Sequence, residues 1–299
     1  MTGQLPNLGC NKKKESGTPL GKIKDVTLNS LPNHLQSFKR SGEPVKTADG
    51  LECEVWELSI SATDPGLSEW AKLFRQSYCL DSEIDLLREG TGFTRGEFLN
   101  NLVFPDKAIA PGPAVRAGDF AELLISDYVE HLLGYWVPRG KYAEKASRDE
   151  SVKGVDILGF KLNNPLNPLP QDEILAFEVK AQLSGGKYKD RLQTAVDDSG
   201  KDYLRSAVTL AALKRRLYIA GKAEEVKVVQ RFQNAVDSPY VFVSGAAAIL
   251  SDKAFDSEGL ASTKTAAHNN AARLILIAVA GKDLMSLAHA LYQRAADEA

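Results

Sequence analysis

The residues best placed to do chemistry lie in two short apolar runs. In Leu175-Ala176-Phe177-Glu178-Val179-Lys180-Ala181-Gln182 side chains alternate along a strand, so Glu178, Lys180 and Gln182 share one face and Phe177, Val179 and Ala181 the other. The Cα atoms of Glu178 and Lys180 then lie roughly 7 Å apart. In Gly154-Val155-Asp156-Ile157-Leu158-Gly159-Phe160 a lone acid sits in an apolar strand, and pairing of the two strands brings Asp156 beside Glu178. Two adjacent carboxylates oppose each other's ionisation unless a cation lies between them. Mg²⁺, with Mn²⁺ as a substitute, suits such a set: it takes oxygen ligands in octahedral geometry, here Asp156, Glu178 and the backbone carbonyl of Val179. A bound ion acidifies water and offsets phosphate charge, and Lys180 orients the nucleophile or stabilises the developing anion. Phosphodiester hydrolysis uses all of these parts. Acid-x-Lys alone is common on solvated sheet faces; the embedded Asp156, the strand-loop-strand order and a preceding amphipathic helix distinguish this instance.

That helix supplies a fourth candidate. Glu122 lies three, seven and eleven residues before Ile125, Val129 and Leu133, on an apolar seam where a charge must be compensated. Either it faces the metal site, or Asp119 is an N-cap with Glu122 at N3 in a capping-box variant. Lys187, Lys189 and Arg191 follow the catalytic strand, and Arg139 and Lys145 precede the Asp156 strand. All five are candidates for phosphate contacts, as are Lys201, Arg205, Lys214, Arg215 and Arg216, although such residues more often form a solvated face. The four histidines lack metal-ligand spacing, and no Walker A, GxGxxG or GxSxG motif occurs, which disfavours zinc, ATPase and nucleotide-cofactor chemistry.

The elements that must position these residues follow from periodicity. Leu51 to Ile60 alternates as a half-buried strand; Leu67 to Tyr78 is a helix with Leu67, Trp70, Ala71, Phe74 and Tyr78 on one face; short helices follow at Ser82 to Glu89 and from Thr94. Phe104 to Pro113, with three prolines, is the expected linker and main boundary. Beyond it come a helix over Asp119 to Leu133 and strands at Tyr135 to Tyr142, Gly154 to Leu162 and Ile174 to Leu183. The last two strands are joined by the proline-rich loop Asn163 to Asp172. A helical region from Tyr188 to Ala220, broken near Asp198-Ser199-Gly200, precedes buried strands at Tyr240 to Val243 and Leu274 to Val279 and a closing helix at Lys282 to Ala295. This order describes a mixed α/β sheet with helices packed on it. The expected organisation is a flexible tail over 1–20, an N-terminal α+β extension over 21–112 and a catalytic domain over 113–299.

With 299 residues, 43% hydrophobic and 25% charged, the chain can bury a full core. No apolar run reaches the roughly 20 residues that span a bilayer, and the polar start with Lys12-Lys13-Lys14 lacks a signal-peptide core, so a cytoplasmic protein without membrane contact is expected. Cys10, Cys53 and Cys79 are odd in number and without CxxC spacing, which argues against disulfides or zinc. A net charge of −2 is unusual for a chain that grips nucleic acid alone, so any DNA contact is a local patch or is shared with a partner.

In combination the motifs resemble the HamA family, nuclease subunits of the bacterial Hachiman anti-phage defence system. The likeness rests on Arg116-Ala117-Gly118-Asp119-Phe120-Ala121-Glu122, on Val137-Pro138-Arg139 with Tyr142 and Lys145, on Lys153-Gly154-Val155-Asp156 and on Phe177-Glu178-Val179-Lys180-Ala181. Leu67-Ser68-Glu69-Trp70-Ala71, Phe74-Arg75, Tyr78 and Asp198-Ser199-Gly200-Lys201-Asp202 are similar too. The resemblance implies a PD-(D/E)xK nuclease, restriction-endonuclease-like in fold, that attacks DNA with a superfamily 2 helicase partner. It matches Asp156, Glu178 and Lys180 to the nuclease motif and Glu122 to the helix acid. Val155 stands where the motif has proline, a position that contributes no ligand. A helicase partner would also account for the near-neutral charge. The alternatives are a non-catalytic subunit that regulates the helicase from the same scaffold, and a stand-alone restriction-type endonuclease.

Overall fold

The computed structural model describes residues 31–299; the expected tail, with Cys10 and the Lys12–Lys14 run, and the start of the extension lie outside the described residues. In chain order come α1 (Asn33–Gln36), β1 (Phe38–Arg40), β2 (Val45–Lys46), β3 (Glu52–Leu58), α2 (Leu67–Gln76), α3 (Ile84–Arg88), α4 (Arg95–Phe98) and a π-helical turn at Leu99–Val103. They are followed by α5 (Gly112–His131), a 3₁₀ turn (Lys141–Glu144), β4 (Ile157–Lys161), β5 (Glu173–Gln182), α6 (Arg191–Ser199), α7 (Asp202–Ile219) and α8 (Ala223–Arg231). The chain ends with β6 (Val241–Ser251), α9 (Ser257–Ala261), β7 (Leu274–Gly281) and α10 (Leu284–Asp297).

The expected mixed sheet forms, in the order β1-β3-β7-β6-β5-β4, with β2 on β3. β3, β7, β6 and β5 run parallel; β4 is antiparallel to β5 and β1 to β3. Strands covered on both faces need apolar or small residues throughout, and β6 (VFVSGAAAILS) is buried over most of its length. Its Gly245 is required by packing: a Cβ there would lie 2.3 Å from Cδ2 of Phe177 on the neighbouring strand. One face of the sheet carries the large core with α2, α5 and α10, and the other carries α6, α7 and α8. Trp70, Phe74, Phe120 and Phe177 are fully buried in the first layer, each stabilising by about 1.5–3 kcal/mol.

Three sequence expectations change. The extension does not stand apart, because β3 adds parallel to β7 and α2 packs on α10, where the Arg75 guanidinium donates to the Ala295 carbonyl at 2.9 Å. The proline-rich 104–113 segment, whose last two residues already belong to α5, therefore separates no cores. Tyr135 to Tyr142 is not a strand: only Trp136 bridges Phe160, after which Pro138 offers no N–H and Gly140 turns the chain at φ +90° into the 3₁₀ turn. Helix α5 begins at Gly112, seven residues before Asp119, so Asp119 is helix interior and the capping box with Glu122 does not form.

Candidate active site

The site is built where β4 leaves β5. The loop between them is pinned by Asp172, which accepts from Asn163 N at 2.9 Å, Leu169 N at 2.9 Å and Arg231 Nε at 3.0 Å. That sets the antiparallel register, which runs from Lys161↔Glu173 to Ile157↔Phe177 and stops. One residue earlier the chain turns toward α7. Gly154 sits at φ +118°, where a Cβ would lie 2.7 Å from Thr209 Oγ1, and the Val155 N–H donates to that hydroxyl at 3.1 Å. At the fork the Asp156 carboxylate takes the place of the missing ladder partner, its Oδ2 accepting the Val179 N–H at 2.9 Å. Asp156 thus stands at the register position opposite Glu178, which lies on the face predicted by strand alternation.

Helix α5 closes one side. Glu122 Oε2 accepts from the Tyr142 hydroxyl at 2.8 Å and pairs with the Lys141 ammonium, which also donates to the Asp156 carbonyl at 2.5 Å. Helices α6 and α7 close the other. Lys180 Nζ lies 2.5 Å from Glu178 Oε1 and 3.0 Å from Asp198 Oδ2, and Lys201 holds Asp198 at 2.7 Å. Arg205 NH1 stands 3.8 Å from Glu178 Oε2 and 3.5 Å from Asp202 Oδ1. Beyond these ion-pair distances Glu178 Oε2 and both Asp202 oxygens have no hydrogen-bond partner, although Glu178 is only 4% exposed and Asp202 wholly buried. Buried carboxylate oxygens without hydrogen bonds are expensive, and a divalent cation is the kind of group they fit.

Electrostatics agree. Removal from water pushes the Asp156 carboxyl well above the ordinary carboxylate range; the negative charges of Glu122 and Glu178 add to this and Lys141 opposes it. Burial and the nearby Glu178 push Asp202 up to about 7. Burial works against the charge of Lys180, but its hydrogen bonds and ion pairs with Glu178 and Asp198 win, so its pKa is raised and it is a cation rather than a base. Lys141 is likewise raised, the charges of Glu122 and Asp156 outweighing burial. Lys201 and Lys180 hold Asp198 below its ordinary value against its partial burial.

Among the described residues, the three side chains that bring potential metal-ligating atoms within 4.8 Å of one another are Asp127, Glu130 and His131. Two of the three already have partners: His34 Nε2 lies 2.8 Å and the Arg139 guanidinium 2.7 Å from Asp127, and Arg139 is also 2.5 Å from Glu130. Glu122, Asp156 and Glu178 do not close on a single point; Lys141 holds the first and Lys180 the last. Val179 meets Asp156 through its N–H.

Two of the basic candidates move inward. Arg139 is committed to Asp127 and Glu130, and the Lys145 side chain is 3% exposed and paired with Asp119, so neither is a free surface cation. Lys187 and Lys189 are exposed on a loop clamped by Gln182, whose amide donates to the Lys187 carbonyl at 2.6 Å and accepts the Lys189 N–H at 3.1 Å; Arg191 is half-buried. Sequence reasoning missed Lys141 and Asp202 as site residues. Gly140, a turn signal inside the presumed strand, could have flagged the first. The second sits beside the helix break at Gly200, where a fresh helix aims its first turn at the sheet.

A family profile named HamA matches residues 32–295. Among curated proteins nothing matches the chain. No helix of the described residues is long and apolar enough to cross a membrane. With almost the whole described chain covered by that profile, the protein belongs to the HamA family and is an anti-phage defence protein of the Hachiman type.

Proposed function

We propose that the chain is a metal-dependent deoxyribonuclease of the PD-(D/E)xK type that works as the effector beside a helicase. The observation that carries this reading is the β4/β5 fork, which sets Asp156 opposite Glu178, with Lys180 paired to Glu178, and leaves a buried Glu178 oxygen without a hydrogen-bond partner. Asp156 and Glu178 would hold Mg²⁺ or Mn²⁺, with the Val179 carbonyl as a further oxygen ligand. When bound, such an ion supplies Lewis acidity at the scissile phosphate.

The chain's own groups do the rest. Lys180, held protonated by Glu178 and Asp198, sets a fixed positive charge where negative charge grows on the phosphate. Glu122, steadied by Tyr142 and Lys141, orients water from the helix side. Lys187 and Lys189 offer backbone contacts that position DNA without reading its sequence, with Arg191 behind them. A net charge of −2 leaves most of the DNA grip to the helicase partner.

A second reading, a non-catalytic subunit that controls the helicase, is favoured by the lysines that neutralise Glu122 and Glu178. Plasmid and linear DNA with Mg²⁺, with and without the helicase, separate the two. Lys180→Ala and Glu178→Gln are expected to lower cleavage by at least about 100-fold, equivalent to about 2.7 kcal/mol of barrier. Thermal melts in EDTA should leave Glu178→Gln as stable as the parent, and helicase binding should be unchanged. No cleavage by the parent with or without the helicase, or cleavage that persists unchanged in both variants and so arises outside this site, would move the protein to the regulatory reading.

A further inference from the structure

The acid-x-Lys motif accounts for Glu178 and Lys180 but not for what α7 sends against them. Asp202 is the first residue of that helix, has no accessible surface, and neither carboxylate oxygen has a hydrogen-bond partner. The fold brings it and Glu178 to the same guanidinium nitrogen: Arg205 NH1 stands 3.5 Å from Asp202 Oδ1 and 3.8 Å from Glu178 Oε2, and that second oxygen is itself buried and without a hydrogen bond. Structural buried acids elsewhere in the chain are treated differently. Asp172 accepts two backbone N–H groups and Arg231, and Asp127 holds His34 and Arg139. Lys201, not Asp202, occupies the N-cap of α7, and the Asp202 carboxylate makes no bond to the helix start.

We infer that Asp202 is a further carboxylate ligand of the site, completing with Glu178 the binding of a divalent cation that Arg205 displaces when the cation is absent. This rests on the nuclease reading above and adds to it a ligand from outside the motif, on a helix packed against the opposite sheet face from α5. Carboxylates on both flanks of the ion would hold it without asking the strand residues to close completely. Arg205, 38% exposed at its side chain, can swing toward solvent and leave both oxygens to the ion.

The test is Mn²⁺ binding by the full chain, read by calorimetry and by the electron paramagnetic resonance signal of free Mn²⁺, without DNA. Circular dichroism melts in EDTA verify folding of each variant. Asp202→Asn, nearly the same size, is expected to fold and to weaken Mn²⁺ at least tenfold, whereas Arg205→Met, which removes the competing cation, is expected to bind it as well or better. If Asp202→Asn binds Mn²⁺ like the parent while Asp156→Asn does not, the inference fails and the nuclease reading stands. Equal losses in Asp202→Asn and Arg205→Met would make Asp202 a mere anchor for Arg205 and also overturn it. A parent chain that binds no Mn²⁺ overturns both.

Discussion

Around Asp119 and around Glu178 the protein buries carboxylates among aromatic and basic side chains, yet it finishes the two clusters differently. Asp119 Oδ2 accepts from the Tyr78 hydroxyl at 2.6 Å and pairs with Lys145; Tyr78 and Tyr292 share a bond at 2.5 Å, and Arg116 stacks over Tyr292 at 4.3 Å while donating to the Pro105 carbonyl. No fully buried side-chain atom of this group is left without a partner. In the Glu178 cluster three carboxylate oxygens are. Burial raises a carboxyl in both places, Asp119 to about 6 and Asp202 to about 7. A shifted pKa therefore does not separate scaffold from site here. What separates them is whether fully buried carboxylate oxygens are left without a hydrogen bond.

The contrast is open to attack, first where the largest effect is expected. Lys145→Met leaves Asp119 buried without its cation and should cost about 3–5 kcal/mol in urea unfolding at neutral pH. A loss below about 1 kcal/mol would mean that the Asp119 network is not structural. Next is the pH dependence of stability in EDTA. The folded pKa of Asp202 lies above its unfolded value, so the folded chain keeps a proton that the unfolded chain has released. Its contribution is intact below about pH 4 and is lost as the pH rises toward 7, with a slope up to about 1.4 kcal/mol per pH unit. Asp202→Asn should flatten that fall. Asp119 titrates in both proteins, so the difference between the two curves isolates Asp202, and superimposable curves would show that its burial carries no strain. The smallest effect is at Tyr142, which stacks on Tyr78 at 5.0 Å in the first cluster and bonds Glu122 in the second. Tyr142→Phe keeps the stack and removes one hydrogen bond, so stability should fall by about 1 kcal/mol and cleavage by less than about tenfold. A cleavage loss as large as that of Glu178→Gln would make Glu122 a central catalytic group and not a supporting one.

Much of the frame was readable along the chain. Period-two alternation set Glu178 and Lys180 on one face of β5, the prolines of 163–172 demanded a loop, and Leu67, Trp70, Ala71 and Phe74 marked the buried stripe of α2. Such patterns depend on local sterics and on which face turns from water, so neighbouring residues carry them. The errors came where neighbours mislead. Tyr135 to Tyr142 has strand-forming residues, but Pro138 and Gly140 turn it into the loop that delivers Lys141 and Tyr142 to Glu122. Asp119 and Glu122 have capping-box spacing, but Gly112 and Pro113 start the helix two turns earlier.

By itself, then, the sequence determined the type and spacing of the elements, the acid-x-Lys strand and the family of the chain, because hydrophobic period and motif are properties of contiguous residues. Only the tertiary structure decided that β3 joins β7, that Arg139 and Lys145 are spent inside, and that Asp202 and Glu178 share Arg205. Those facts depend on how distant segments pack and on which charges find partners once water is excluded, and no local pattern records that.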